Sequence, residues 1–314
     1  MSARTRLGLR KFRSVEPRAT IAVVAPASYF VREEFDAGVA ELRRLGFQVV
    51  FDESVFDREP ITAGSAATRA KALRDAWMRD DVDAIVAVRG GYGSAELLPL
   101  LDAAEFRARP KALIGYSDLT SLHAWVNGQV GATSVHGAML DGRLSKGESA
   151  YDAASFLRSL STEPMGELAI DGVDVLRSGE AIGPLVGGTI MQLAASLGTP
   201  YTFTPPDGAV LFLEDVAERP YRLRRLLVQL QHAGRFDRAS AIVVGQMPRC
   251  DEADGRVTAR SVIDGFFKDF RGPVLYGFPS GHTTTPMVSL PFGVQARVVA
   301  DGRPRLVIEE SAAE

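Results

Sequence analysis

Cysteine is nearly absent from this sequence of 314 residues, in which Cys250 stands alone, so no disulfide can form within the chain. A lack of internal disulfides fits a reducing compartment. An excess of one charge is also absent, since 36 Lys and Arg residues stand against 39 Asp and Glu residues and the formal net charge is −3. We therefore expect no broad basic surface for nucleic-acid phosphates and no nucleic-acid partner.

Long hydrophobic runs are missing as well. No stretch of about 18 uncharged apolar residues occurs, so we expect no transmembrane helix and no membrane partner. Arg4, Arg6, Arg10, Lys11 and Arg13 precede an apolar stretch that ends in AVVAPAS, which gives the N-terminal part some likeness to a signal peptide. The apolar core of this stretch, IAVVA, is shorter than the roughly 7–15 residues of a signal, and Glu16 and Arg18 interrupt the stretch. We interpret TIAVVAPAS as the first β-strand and its turn.

Metal-binding and cofactor-binding patterns are scarce. The chain has four histidines, no H-E-x-x-H motif and no Cys/His spacing, so we predict neither a metal nor a cofactor. The cluster RGGYG, residues 89–93, follows a predicted strand, but Glu96 stands where a dinucleotide loop needs its third glycine. Two interpretations stay open for Gly90 and Gly91: a tight turn that requires positive φ, or a turn whose free amides face an oxyanion.

Alternating strand-like and helix-like segments fill the first half of the chain. Apolar runs such as VDAIVAVRGG and KALIGYSD alternate with amphipathic segments such as REEFDAGVAELRRLG. This order predicts a parallel sheet with helices on both faces. The pattern weakens after Tyr151 and restarts with AIGPLVGG, and GVQARVVADGRPRLVIEE predicts a hairpin that turns at Asp301-Gly302. The predicted divisions are an N-terminal extension 1–19, a domain 20–150, a linker 151–181 and a C-terminal domain 182–314.

Ser117 stands at a predicted strand-to-helix corner in the segment IGYSDLTSLHAW. A serine there either caps the helix, which Asp118 can do equally well, or attacks a substrate. A nucleophile requires exposure at the end of its strand and a following amide that is free to stabilise an oxyanion. GYSD lacks the second glycine of G-x-S-x-G, so both interpretations stay open.

A nucleophilic serine needs a base. His123 on an apolar helical face and His232 in a last helical turn are expected to be structural. His136 ends a predicted strand and is placed to face the same cleft. His282 follows a strand in the polar loop FPSGHTTTP, and we predict it as the base.

An acid that orients this base is expected at the end of the strand-like segment VLFLEDV. Glu214 and Asp215 stand there, at the edge of an α/β sheet where ligands bind. In the alternative interpretation they cap the next helix or pair with Arg219 and Arg222.

These segments together resemble one known family. VAPAS, VRGGYGSAELLPLLD, IGYSDLTSLHAW, HGAML, GPLVGGTIMQLAASLGTPY, LFLEDVAERPYRLRRLLVQL and GH…SLPFG occur in this order over nearly the whole chain after residue 20. They resemble the LD-carboxypeptidases, the serine peptidase family that includes muramoyltetrapeptide carboxypeptidase. The resemblance implies an α/β protein, with an N-terminal flavodoxin-like parallel-sheet domain plus a C-terminal swivelling β/α domain.

The resemblance also implies a site and an activity. A Ser-His-Glu triad maps onto Ser117, His282 and Glu214, and an oxyanion hole onto the backbone amides of Asp118 and the Gly90-Gly91 turn. The implied reaction removes the terminal D-alanine from muropeptide tetrapeptides during cell-wall recycling. The implied enzyme is a cytoplasmic homodimer with a small muropeptide substrate.

Substrate contacts are expected from Arg89, Tyr92 and His136. An arginine can hold the terminal carboxylate of a substrate with two hydrogen bonds, and Arg89 directly precedes the glycine turn. In the alternative interpretation Arg89 pairs with a local acid such as Glu96 or Asp118 and only braces the loop.

Two departures from the family pattern concern the choice of substrate. Thr189 stands where the family usually has Asn after Gly-Gly, and Ala138 where it usually has Pro after His-Gly. The microcin-immunity peptidases share the triad but cleave aminoacyl-nucleotide amides, and they are the alternative function. RGGYG favours the carboxypeptidase branch. A third alternative, an inactive binding module, conflicts with the presence of all three triad residues.

Overall fold

The computed structural model describes residues 8–168 and 171–314, which form two β-sheets flanked by helices. The strands are β1 (Thr20–Val24), β2 (Gln48–Val50), β3 (Ala84–Ala87), β4 (Ala112–Gly115), β5 (Ser134–His136), β6 (Gly166–Leu168), β7 (Asp174–Arg177), β8 (Glu180–Thr189), β9 (Val210–Glu214), β10 (Ala241–Gly245), β11 (Val274–Phe278), β12 (Leu290–Phe292), β13 (Gln295–Val299) and β14 (Arg305–Ile308). The α-helices are α1 (Arg32–Arg44), α2 (Ala66–Met78), α3 (Ala103–Ala108), α4 (Thr120–Trp125), α5 (Ala153–Arg158), α6 (Ile190–Ala195), α7 (Pro220–His232) and α8 (Ala259–Phe266).

The first sheet has six strands in the order β12-β5-β4-β3-β1-β2. Its strands β2, β1, β3, β4 and β5 run parallel, and this order is that of flavodoxin-like sheets. The fold therefore confirms the predicted parallel sheet. Strand β12 pairs antiparallel with β5, so a segment from the C-terminal part of the chain forms one edge of the first sheet.

The second sheet has eight strands in the order β6-β14-β13-β8-β9-β10-β11-β7. Strands β8 to β11 are parallel, while β13, β14 and β6 extend one side and β7 the other side in antiparallel pairs. The predicted hairpin is confirmed as β13 and β14. The segment 151–181 contains α5 and the two edge strands β6 and β7, so it contributes to the second sheet.

Side chains on opposite faces of a strand pack into different cores, as the two-residue period of a strand requires. Ile21 of β1 belongs to a core that also contains Phe212 of β9, so the two sheets share this core. Its neighbour Ala22 packs on the other face with Trp77 of α2. A third core lies between the second sheet and α6, α7 and α8. In the described part of the chain, no helix is both long and apolar enough to cross a membrane.

Candidate active site

Ser117 lies at the corner that follows β4. Its φ angle is 64°, in the left-handed region that residues with a Cβ rarely adopt. The residue is partly exposed, whereas Tyr116 and Asp118 on either side are buried. Ser117 begins a 3₁₀ turn, Ser117–Leu119, but its side chain does not cap it. The helix-capping interpretation is therefore wrong, and the strained backbone presents the hydroxyl at the carboxyl end of the sheet.

Glu214 ends β9 and is fully buried. Its Oε2 accepts hydrogen bonds from His282 Nδ1 at 2.7 Å and from the His282 backbone N–H at 2.9 Å. Its Oε1 accepts a hydrogen bond from the hydroxyl of Thr189. Because Nδ1–H donates to the carboxylate, the imidazole presents Nε2 as a proton acceptor. The structure thus pairs the two residues predicted as acid and base, although 68 positions separate them.

The charges of this pair stabilise one another. Burial alone would raise the pKa of Glu214, but the positive charge and hydrogen bond of His282 outweigh burial, and the pKa of Glu214 is lowered. Burial alone would lower the pKa of His282, but the charge and hydrogen bond of Glu214 outweigh it, and the pKa of His282 is raised. An ionised glutamate therefore holds a histidine that binds a proton more readily than a free imidazole.

Asp215, the other acid at the end of β9, has a different role. It is almost fully buried and accepts hydrogen bonds from the backbone N–H groups of Met191 and Val216. Burial and the neighbouring charge of Glu214 raise the pKa of Asp215 to about 7. Its bond to Met191 fixes the start of α6, directly after Thr189.

The alternative pairing of these acids with Arg219 and Arg222 does not occur. Arg219 forms an ion pair with Glu252, and Arg222 forms one with Glu218. Both arginines therefore lie on other carboxylates, and β9 ends in two acids that serve the site and the start of α6.

The glycine turn after β3 lies against Ser117. A Cβ atom on Gly90 would stand 2.9 Å from Ser117 Cβ, 3.1 Å from Ser117 Oγ and 3.3 Å from the Asp118 backbone nitrogen. Gly91 has a φ of 95°, and a Cβ there would stand 2.5 Å from Ser28 Oγ. In the described residues, the amides of Gly90, Gly91 and Asp118 have no hydrogen-bond acceptor. The turn is thus both a tight turn that needs glycine and a set of free amides beside the serine.

The base loop contacts the serine corner through Tyr116. The rings of Tyr116 and His282 pack edge to face with centroids 5.1 Å apart. The hydrogen bonds of the described residues include none between Ser117 and His282, and such catalytic bonds commonly tighten when substrate binds. The arrangement offers a hydroxyl nucleophile, an oriented base and free amides, which are the groups that acyl transfer requires.

Arg89 is half-exposed and lies next to the glycine turn. It donates a hydrogen bond to Tyr29 O at 3.3 Å and forms a 3.4 Å ion pair with Asp141. The predicted alternative partners are engaged elsewhere, because Glu96 pairs with Arg69 and Asp118 accepts from Ser94 N. Arg89 therefore pairs with neither Glu96 nor Asp118, and the acid that can brace the loop in their place is Asp141.

Tyr92 and His136 occupy opposite environments. Tyr92 is half-exposed, and its backbone N–H donates to Ser28 Oγ. His136 is fully buried, its Nδ1 lies 3.2 Å from Ser280 Oγ, and its ring stacks on Phe292. Burial lowers the pKa of His136 to about 3, so the ring stays neutral. A side chain without exposed surface is not placed to contact a substrate, so we do not carry His136 into the proposal below.

The remaining histidines and the two departures lie in different surroundings. His123 is buried and bonds to Ser134 Oγ and Gly115 O, and His232 is exposed in the last turn of α7. Ala138 is fully buried in the core. The Thr189 hydroxyl donates a hydrogen bond to Glu214. The sequence alone did not predict this contact.

Arg143 is a residue that the sequence analysis missed. It lies in the polar segment DGRLSKG, whose composition is typical of a surface loop. Its side chain is nevertheless buried beside Tyr116. For metals, the described part of the chain holds no group of three or more His, Cys, Asp or Glu side chains arranged to bind an ion.

Comparison with known families identifies both parts of the chain. Residues 21–137 match the model of the LD-carboxypeptidase N-terminal domain, and residues 182–298 match that of the LD-carboxypeptidase C-terminal domain. A Streptomyces coelicolor protein named as a carboxypeptidase is 33% identical over 289 residues, which cover 91% of this chain and 92% of that protein. The chain belongs to the LD-carboxypeptidase family. It is accordingly a serine-type carboxypeptidase hydrolase, as the sequence predicted.

Relatives in the LD-carboxypeptidase family carry two kinds of name. The murein tetrapeptide carboxypeptidase of Pseudomonas aeruginosa is 29% identical over 83% of this chain and 87% of its own length. The solved muramoyltetrapeptide carboxypeptidase of Oxalobacter formigenes superposes with a TM-score of 0.81 at 27% identity, over 92% of this chain and 97% of that one. The microcin self-immunity protein MccF of Escherichia coli is 26% identical over 91% of both chains. A solved MccF structure has a TM-score of 0.86 at 24% identity, over 96% and 98%, which shows the shared two-domain fold.

Proposed function

We propose that this LD-carboxypeptidase hydrolyses the L,D-amide bond that joins the terminal D-alanine to a muropeptide tetrapeptide, a reaction of cell-wall recycling. Ser117 is the nucleophile, His282 the base and Glu214 the orienting acid. The observation that carries the proposal is the buried Glu214 carboxylate, which holds the His282 loop by two hydrogen bonds beside the strained Ser117 corner. In this proposal the nucleophile belongs to domain 20–150, and the acid and base belong to domain 182–314.

The proposed reaction has two half-reactions. Ser117 Oγ attacks the carbonyl carbon of the scissile amide while His282 Nε2 takes the hydroxyl proton. The amides of Asp118, Gly90 and Gly91 donate to the resulting oxyanion. When the C–N bond breaks, His282 returns the proton to the leaving amine of D-alanine. Water then attacks the acyl-enzyme with His282 again as base, which regenerates Ser117 and releases the shortened peptide.

Arg89 is proposed to bind the terminal carboxylate, the group that distinguishes a chain end. Its guanidinium is half-exposed, and its present contacts are long, at 3.3 Å to Tyr29 O and 3.4 Å to Asp141. An arginine held this loosely can turn to a substrate carboxylate and hold it with two parallel hydrogen bonds. Tyr92, half-exposed on the same turn, is proposed to line the substrate cleft.

The test is the release of free D-alanine from a purified muropeptide tetrapeptide. Wild-type protein should release it, and Ser117→Ala should lose on the order of 10⁴–10⁶ in kcat while remaining folded. Ser149→Ala, which makes the same change at an exposed serine, should retain the wild-type rate. A Ser117→Ala rate near that of wild type would remove Ser117 from the mechanism.

The aminoacyl-nucleotide amides are the second candidate substrates, because similarity to MccF extends over 91% of the chain. Aspartyl sulfamoyl adenosine, which occupies one solved MccF structure, is the control compound. Cleavage of an aminoacyl-nucleotide amide with no release of D-alanine would favour this function over the first. Binding of either compound without turnover would favour an inactive binding module.

We further propose that the enzyme is a cytoplasmic homodimer, as the family resemblance implies. The chain has a mass of 33.8 kDa, so sedimentation of the purified protein should give twice this mass. A single species at the monomer mass would contradict the dimer, and recovery of the native protein outside the cytoplasmic fraction would contradict the location.

A further inference from the structure

The loop that carries His282 spans the two sheets. It begins after β11 of the second sheet and ends at β12, the edge strand of the first sheet. Near its end, the Met287 N–H donates to Ala150 O at 3.0 Å. On its outer side, the Gln246 side chain accepts from Thr284 N at 2.9 Å and donates to Thr285 Oγ1 at 2.9 Å. The position of His282 therefore depends on contacts with both parts of the chain.

Arg143 holds the middle of this loop. Its Nη2 donates to Gly281 O at 3.0 Å and to Thr283 O at 3.3 Å, the two carbonyls on either side of His282. Its Nη1 donates to Ala150 O at 3.0 Å, the same oxygen that anchors the end of the loop. A guanidinium presents its donors in one rigid plane, so a single side chain can hold these separate carbonyls at once.

Arg143 also reaches the nucleophile corner. Its Nε donates to the Tyr116 hydroxyl at 3.3 Å, and its guanidinium carbon lies 5.7 Å from the Tyr116 ring centroid. Tyr116 directly precedes Ser117. The side chain is 8% exposed, and in residues 8–168 and 171–314 it forms no ion pair, so its charge is held by neutral acceptors and an aromatic face. One buried cation thus contacts both the base loop and the residue before the nucleophile.

We propose that Arg143 is a positioning residue that clamps the His282 loop against the Ser117 corner and keeps base and nucleophile aligned. This inference rests on the proposed function, because it adds a positioning residue to the same site. No part of the substrate needs to touch Arg143. Its effect passes through the loop and through the electric field at the imidazole.

The charge of Arg143 also affects the pKa of His282, which can be measured separately from the position of the loop. Burial lowers the pKa of His282, the charges of Glu214 and Asp215 raise it, and the charge of Arg143 lowers it. The other groups that face the imidazole are Tyr116, whose ring contacts it, and the neutral His136. Loss of the Arg143 charge should therefore raise the pKa of His282 further, whereas a replacement that keeps the charge should largely preserve it.

The experiment follows the His282 imidazole by NMR in full-length protein, with its signal assigned among the four histidines by its loss in His282→Gln. Arg143→Met should move the His282 titration to higher pH and lower kcat for D-alanine release by about 10–100-fold, the scale of small misalignments in an active site. Arg143→Lys should leave the titration near its wild-type midpoint but still lower kcat, since an ammonium lacks the planar fork.

Lys111→Met is the matched control. Lys111 is also 8% exposed and donates to the backbone carbonyls of Arg79 and Val82, but it lies at the amino end of β4, away from Ser117. It should change neither the His282 titration nor kcat. The clamp is overturned if folded Arg143→Met keeps both the wild-type titration and the wild-type kcat, or if Arg143→Lys, the milder change, keeps full kcat.

The NMR titration needs no substrate, so the two proposals fail separately. If the wild-type protein releases no D-alanine but the His282 titration is shifted in Arg143→Met, the proposed substrate is refuted and the clamp is retained. If the wild-type protein releases D-alanine and folded Arg143→Met keeps both the wild-type titration and the wild-type kcat, the proposed substrate is retained and the clamp is refuted.

Discussion

Substitution of Gly90 by alanine disturbs the proposed oxyanion hole and the Ser117 corner that lies against it. The added methyl would stand 2.9 Å from Ser117 Cβ, whereas carbon atoms in contact are normally at least about 3.5 Å apart, so the two overlap by about 0.6 Å. It would also stand 3.3 Å from the Asp118 nitrogen, within the space that the developing oxyanion needs. Gly90 does not have a positive φ, so alanine adds no backbone strain of its own.

The expected loss in kcat is on the order of 10²–10³, which corresponds to about 2.7–4 kcal/mol and matches the removal of one oxyanion donor. The expected loss of stability is smaller. Extra volume in a packed site costs about 1–3 kcal/mol, and the reduced entropy of the unfolded chain offsets about 0.4–1 kcal/mol of that. Gly90→Ala should therefore fold and bind substrate but turn over slowly.

The assay measures kcat and KM by D-alanine release, together with urea unfolding. Gly265→Ala is the control, because Gly265 lies in α8 and, apart from its chain neighbours and the backbone of its own helix, no atom stands within 4 Å of the added methyl. It should keep the wild-type kcat and match or exceed the wild-type stability. A Gly90→Ala enzyme within about twofold of the wild-type kcat would refute the reasoning, because the overlap would then have been relieved without disturbing the reacting groups.

The remaining predictions concern the base, its acid and the chain-end contact. Since the pKa of His282 is raised and the base must be neutral, kcat/KM should fall as pH falls through a value above about 6.5, the usual pKa of histidine. Glu214→Gln should move this acidic fall in kcat/KM to lower pH. A profile that is flat to about pH 5 would contradict this. Arg89→Ala should reduce the preference for a free terminal acid over its C-terminal amide by a factor worth about 1.5–3 kcal/mol, whereas equal losses on both substrates would make Arg89 a brace. Thr189→Val should lower the free energy of unfolding by about 1–3 kcal/mol and slow turnover, because it leaves Glu214 Oε1 buried without its donor. Thr189→Ser should restore both the stability and the rate. A Thr189→Val variant with wild-type stability and wild-type kcat would remove Thr189 from the site.

Local patterns in the sequence predicted most of the secondary structure. The two-residue period of strands and the 3.6-residue period of helices depend on neighbours in the chain, so α1, α2 and the β13–β14 hairpin could be predicted from the letters alone. Such patterns miss pairings between distant short segments. β12 has three residues, and its place at the edge of the first sheet depends on β5, more than 150 positions earlier.

The residue types of the candidate site were likewise determined by the sequence. A serine, an acid and a histidine at strand ends, with glycines beside them, are the residue types that the proposed chemistry needs, and the family motifs give their order. Tertiary structure decided which of them meet and in what surroundings. It brought Glu214 to His282, left His136 without exposed surface, turned Arg89 toward Asp141 and placed Arg143 against the loop that carries His282. The physical reason is that hydrogen bonding, burial and pKa depend on atoms that are close in space, and most of those atoms come from distant parts of the chain.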